Sequence, residues 1–309
     1  MGDKKEGNRM SRCERIKGII PPIITPMNAD ESFNEAEFRR QIDRQLDGGV
    51  HGIFCYGTNG ECYALTMEEK ETILKAAVEQ VQGRVPVYAG TGCITTKETV
   101  EMSKRAEALG ADVLSVITPY FAAVSQEELY EHYAAVAEAV DIPIVLYNIP
   151  ARTGCSIAPE TVARLAEIDN IVGAKDSSGN WDNLKAYIEL TENKDFAVLS
   201  GNDSLILKAL QAGGAGGIAG CANVYPHNMV AIYERFKAGD MDGAQEAQDA
   251  IASFRACFKY GNPNTIVKTA VELLGYPVGG CRKPFYSVSA QGIAALKEVL
   301  KENKKNGMS

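Results

Sequence analysis

The feature that most constrains this chain is an alternation. From residue 18 to about residue 240, short apolar runs rich in β-branched residues take turns with longer amphipathic runs. The apolar runs are Gly18–Met27, Gly52–Gly57, Val85–Gly92, Ala111–Pro119, Pro143–Pro150, Ile171–Ser177, Ala197–Asn202 and Gly214–Cys221. Their near-continuous hydrophobicity marks strands buried on both faces, as parallel strands are. The segments between them announce helices chemically. Asn34-x-x-Glu37, Thr66-x-x-Glu69, Thr95-x-x-Glu98 and Ser125-x-x-Glu128 fit the cap-plus-acid pattern that satisfies orphan N–H groups at a helix start. Pro159 suits a first helical position. Leu129, Tyr133, Val136 and Val140 recur at helical spacing and give the fourth helix an apolar face toward the strands. Gly49, Gly110 and Gly213 follow helices, where a left-handed residue is usually required.

Eight such units, each of roughly 25–30 residues, build either a closed barrel or a doubly wound open sheet. Two observations favour the barrel. No GxGxxG follows the first strand, and unusual polar residues stand at the C-terminal ends of several different strands, where a barrel collects its catalytic groups. The prediction is one α/β domain, a (β/α)8 TIM barrel over 17–240. A flexible charged tail, 1–16, precedes it, and a C-terminal helical extension, 241–309, follows with no Pro/Gly/Ser linker to set it apart. With 309 residues, 45% of them hydrophobic, the core needs no disulfides. The eight cysteines show no CxxC spacing, so they read as reduced thiols in a cytoplasmic protein. A net charge of −8, without a Lys/Arg cluster interleaved with aromatics, sets nucleic acid and anionic membranes aside as partners. No apolar run is long enough for a membrane span, and the first residues lack the apolar stretch of a signal peptide. The three histidines, His51, His132 and His227, have no ligand spacing, so no metal and no other cofactor is expected. No spacing pairs a histidine with a cysteine nucleophile either.

Lys175 draws attention first. It sits in the apolar run Ile171-Val-Gly-Ala-Lys175, where desolvation disfavours an ammonium group. An ion-paired barrel lysine is one reading, with Asp176 the nearest partner. Strand neighbours point to opposite faces, however, which places Asp176 poorly for that pairing. The other reading is an amine nucleophile toward carbonyls, if the side chain points into the barrel. Tyr147 ends the preceding strand and is either an aromatic filler or a hydroxyl that moves protons. Strands five and six are consecutive, so contact between Tyr147 and Lys175 is expected. Gly57-Thr58-Asn59-Gly60-Glu61 is either a plain Asn-Gly turn or a nest whose backbone N–H groups face an anion. Arg152 is a solvated loop arginine or a bidentate carboxylate clamp. Asn202-Asp203 and the glycines of 213–217 complete the circle, the latter letting chain or ligand approach closely.

Taken together, these motifs resemble the dihydrodipicolinate synthase / N-acetylneuraminate lyase family of Schiff-base-forming class I aldolases, over roughly residues 17–300. The resemblance is carried by Gly57-Thr-Asn-Gly-Glu61, Thr118-Pro-Tyr120, Tyr147-Asn-Ile-Pro-Ala-Arg-Thr-Gly154, Gly173-Ala-Lys-Asp-Ser-Ser-Gly179 and Gly201-Asn-Asp203. It implies that Lys175 forms an imine with pyruvate or a longer 2-keto acid. Tyr147 becomes the proton shuttle, and Thr58 helps hold the keto-acid carboxylate and positions Tyr147. Gly57, Asn59, Arg152 and Phe121 are then substrate-side residues, and a homotetramer or homodimer is the expected assembly.

Two departures bear on the substrate. The synthases of the family carry a second threonine where this chain has Asn59, and a tyrosine reaching across a subunit contact where it has Phe121. Arg152, by contrast, is like the synthases. The resulting expectation is a lyase or aldolase for a small keto-deoxy or hydroxy-keto acid. The alternative is a 4-hydroxy-tetrahydrodipicolinate synthase condensing pyruvate with aspartate semialdehyde. A barrel that only senses keto acids would need neither Lys175 nor Tyr147.

Overall fold

The computed structural model describes residues 12–285 and 288–308. Eight parallel strands follow one another around a barrel: β1 Gly18–Ile20, β2 Ile53–Cys55, β3 Val87–Gly90, β4 Val113–Ile117, β5 Ile144–Asn148, β6 Ile171–Asp176, β7 Ala197–Ser200 and β8 Gly216–Ile218. The first helices are α1 Glu35–Asp47, α2 Met67–Val81, α3 Thr96–Ala108, α4 Gln126–Glu138, α5 Pro150–Thr153, α6 Pro159–Leu165 and α7 Trp181–Thr191. They are followed by α8 Ile206–Gln211, α9 Pro226–Lys237, α10 Met241–Ala250, α11 Ala252–Arg255, α12 Pro263–Leu273 and α13 Ala290–Lys305. The architecture is a (β/α)8 TIM barrel with a C-terminal helical extension. No helix among the described residues is long and apolar enough to cross a membrane.

The strands lie inside the eight apolar runs but are shorter, and β1 shows why. Pro21 and Pro22 have no N–H to donate, so the regular ladder stops at Ile20. The barrel closes there by other bonds: His51 N–H donates to Ile19 O at 2.8 Å, Phe54 N–H to Pro21 O at 3.0 Å, and Pro22 bridges to Phe54. The opposite edge of β1 pairs with β8, Gly18 opposite Gly216. A Cβ on Gly216 would stand 2.1 Å from Gly18 O, so the glycine run at 213–217 serves close approach of chain to chain. The four cap motifs form as their chemistry dictates. Asn34, Thr66, Thr95 and Ser125 each accept from the backbone N–H three residues on, and Thr66 and Ser125 complete full capping boxes with Glu69 and Glu128.

Ile20, Phe54, Tyr88, Val113, Val145, Val172, Leu199 and Ile218, one from each strand, fill the lower barrel. Ile16 joins this cluster, fully buried, after a 3-10 turn at Arg12–Arg15. This corrects the expected tail. Its first eleven residues lie outside the described part, but Ile16, with the half-buried Cys13 beside it, packs against the apolar lower layer of the barrel, while Glu14 and Arg15 stay exposed. The extension shares one apolar cluster with the barrel: Phe254, Ile266, Val271 and Leu296 pack with Ile19, Ile206 and Met229. Its helices thus form part of the barrel's wall.

Candidate active site

Lys175 points inward because of one irregularity in β6. In the β5–β6 ladder Ile144 pairs with Ile171, yet the next residue, Val145, pairs with Gly173. Val172 is an extra residue, and it packs inside the barrel while Ala174 faces the helices. The bulge resets the alternation by one place and turns Lys175 inward. Beyond it Tyr147 is the register partner of Lys175 on β5, so both side chains share the inner face. Gly173 is required at the bulge, since a Cβ there would lie 2.6 Å from Ala197 O.

The Lys175 Nζ stands 3.7 Å from the centre of the Tyr147 ring and 5.4 Å from that of Phe54. Both Lys175 and Tyr147 are 3% exposed. No carboxylate among the described residues forms an ion pair with Lys175. Asp176 faces the other way, accepting from Asn148 Nδ2 at 2.8 Å and from the Ser178 hydroxyl at 2.7 Å. The Tyr147 hydroxyl is 3.0 Å from Thr58 Oγ1. Lys175, Tyr147, Thr58, Asn59, Arg152, Ser177, Asn202 and Asp203 line a cavity of about 200 Å³ at the C-terminal mouth of the barrel. The backbone N–H groups of Thr58 and Asn59 donate to no protein acceptor among the described residues.

Gly57 lies behind this cavity, where a Cβ would meet the Phe54 ring at 2.8 Å; its lack of a side chain lets β2 turn over that ring. Arg152, exposed on α5, lines both the main cavity and a neighbouring one of about 240 Å³ that also holds Tyr63, Tyr120 and Phe285. Phe121 does not reach the cavity of its own chain. It is 97% exposed, with a left-handed φ of 77°. Burial pushes the Cys62 thiol up, which argues against a thiolate nucleophile beside the site. Among the described residues no cluster of His, Cys, Asp and Glu is placed to hold a metal ion.

Several site residues were not singled out from the sequence. Arg255, from α11, lines the cavity and donates to Asp203 Oδ2 at 3.2 Å and to Asn202 Oδ1 at 2.9 Å. Asn264, from α12, donates to Thr58 O at 2.7 Å and to the Tyr63 hydroxyl at 3.0 Å. No local pattern distinguishes either from an ordinary surface polar residue. The Asn148–Asp176 bond, in contrast, was within reach: the alternation that turns Asp176 from Lys175 also turns Asn148 from Tyr147.

The dihydrodipicolinate synthetase family model matches residues 15–303. A 4-hydroxy-tetrahydrodipicolinate synthase of Methanopyrus kandleri is 42% identical over 291 residues, covering 93% of this chain and 96% of its own. One of Syntrophus aciditrophicus is 41% identical over 286 residues, covering 92% and 97%. Among solved structures, dihydrodipicolinate synthase from Thermotoga maritima superposes with a TM-score of 0.90 at 33% identity, over 93% of this chain and 98% of that one. A prophage protein of the same family from E. coli K12, solved in complex with pyruvate, gives the same TM-score, identity and coverage. With a family match over nearly its whole length and relatives above 40% identity, the chain belongs to the dihydrodipicolinate synthetase family of lyases.

Proposed function

We propose that this protein binds a pyruvate-type 2-keto acid as a Schiff base on Lys175 and makes or breaks the carbon–carbon bond one atom beyond the imine. The observation that carries the reading is the buried pair Lys175–Tyr147, register partners whose hydroxyl end meets Thr58 at the cavity. The Lys175 amine adds to the ketone carbon, and loss of water leaves an iminium. In cleavage the iminium takes up the electron pair of the broken bond as an enamine, and condensation runs the same steps in reverse. The Tyr147 hydroxyl, with Thr58 as its relay partner, protonates the carbinolamine oxygen that leaves as water; in cleavage it takes the proton from the hydroxyl that becomes the departing carbonyl and returns it to the enamine carbon. The N–H groups of Thr58 and Asn59, which donate to no acceptor among the described residues, hold the keto-acid carboxylate. Arg152 holds the distal end. Phe121, exposed on its loop, fits a contact between copies in a homotetramer or homodimer, and buried thiols such as Cys55, Cys155 and Cys221, which form no disulfide among the described residues, fit a cytoplasmic setting.

Asn59 and Phe121 support cleavage of a small keto-deoxy or hydroxy-keto acid, because neither side chain supplies the hydroxyl that a longer proton relay needs. A second reading, condensation of pyruvate with aspartate semialdehyde, is supported by Arg152 and by the synthase names of the relatives. Borohydride reduction with pyruvate should add a pyruvyl mass to the Lys175 peptide, and Lys175→Arg should abolish it with the fold intact. An unlabelled peptide with every 2-keto acid tried would refute the mechanism. Comparison of kcat/KM for the two reactions decides the substrate: condensation near ~10⁵ M⁻¹s⁻¹ with no cleavage would establish the second reading.

A further inference from the structure

The turn that carries Thr58 is held from the C-terminal extension by a buried ion pair. Glu61 and Lys268 are 207 residues apart in sequence, 0% and 1% exposed, with Nζ 2.7 Å from Oε1. Every polar atom of the pair is engaged. Lys268 also donates to Gly280 O at 2.7 Å, and the second Glu61 oxygen accepts from the Arg282 backbone N–H at 2.9 Å. Glu61 holds a left-handed backbone, φ 60° and ψ 38°, which a non-glycine residue keeps only when its surroundings enforce it. Its own N–H donates to Thr58 O, closing the turn. Asn264, one helical turn before Lys268 on α12, donates to that same Thr58 oxygen. Thr25 Oγ1 donates to Gly60 O at 2.8 Å. One face of α12 therefore grips both ends of the Thr58–Glu61 turn.

A buried ion pair is a weak source of stability, because desolvation of both charges offsets their attraction. What it does supply is a unique geometry. We infer that Glu61 and Lys268 are positioning residues: they fix the turn so that Thr58 meets the Tyr147 hydroxyl and the Thr58 and Asn59 N–H groups stay directed at one anion site. The C-terminal extension is thereby a working part of the active site. Neither residue lines the cavity, so neither acts on substrate directly. This inference rests on the Lys175 imine reading.

The test is Glu61→Met/Lys268→Met in the full-length protein, with two apolar chains in place of the pair. Thermal stability should fall only modestly, since replacing the pair itself is often neutral and only the Arg282 N–H and Gly280 O lose a partner. The KM for the keto acid should rise about tenfold and kcat should fall about tenfold, because a misplacement of this kind acts on geometry. Unmodified kcat and KM in a folded double variant would overturn the inference. If that variant does not fold, Glu61→Gln/Lys268→Met, whose amide keeps the Arg282 bond, decides on the same two constants. Labelling of Lys175 in the unmodified enzyme separates the two failures. With labelling and unchanged variants only the positioning role falls; without labelling the imine reading falls and takes this inference with it.

Discussion

Gly201 offers a sharp test of the site's geometry, because adding one methyl group there presses on the proposed nucleophile. A Cβ at this position would lie 1.9 Å from Ser177 Oγ, 3.0 Å from Ser177 Cβ and 2.9 Å from Lys175 Cε. The serine hydroxyl can rotate away. The lysine carbon cannot keep its place, since carbon–carbon contacts settle at about 3.5–4.0 Å, so Cε must shift by roughly 0.5–1 Å. Displacement of about 1 Å at a reacting group costs on the order of 10²-fold in rate. The overpacking itself should cost about 1–3 kcal/mol of stability. Gly201→Ala is therefore expected to fold, melt a few degrees lower, and trap pyruvate on Lys175 about 10²-fold more slowly. Adding Ser177→Ala should recover part of the melting temperature while the trapping rate stays low, because the contact with Lys175 remains. The measurements are thermal denaturation and timed borohydride quenching read by intact mass. Trapping by Gly201→Ala at the unmodified rate would refute the placement of Lys175 against this strand end.

Tyr147→Phe should lower turnover by roughly 10²–10⁴ while pyruvate is still trapped on Lys175, and equal activity would reduce Tyr147 to packing. Arg152→Ala should raise KM for the full substrate far more than it slows pyruvate trapping, and a kcat loss with unchanged KM would contradict its place at the distal end. His132 gives a pH prediction. Its ring is buried with Nδ1 at 2.9 Å from Thr96 Oγ1 and Nε2 without a hydrogen-bond partner among the described residues, and burial holds its pKa down at about 4 against an ordinary 6.5. The folded state thus prefers the neutral ring. Its contribution is fully present above pH 6.5 and is lost as pH falls toward 4, by about 3 kcal/mol. His132→Phe should flatten that part of the stability profile in denaturant titrations at stepped pH, and an unchanged acid limb would refute it.

The barrel was legible in the sequence because its determinants are local. Buried parallel strands need continuous apolar runs, and helices need caps and a one-sided stripe; both are written within a dozen residues, as at Ser125–Glu128 and Leu129–Val140. Lys175 and Tyr147 stood out for a related reason, a polar group set in or at the end of an apolar run. Whether Lys175 faces the barrel or the helices was not local. It depends on the extra residue Val172, which shows only when β6 is laid against β5. Ile16 under the barrel, Arg255 at its mouth and Lys268 against Glu61 were likewise decided by tertiary structure. Each is an ordinary side chain in its own neighbourhood. Its role comes from a partner far along the chain, and closure of the barrel is what brings such partners within the few ångströms over which packing and hydrogen bonds act.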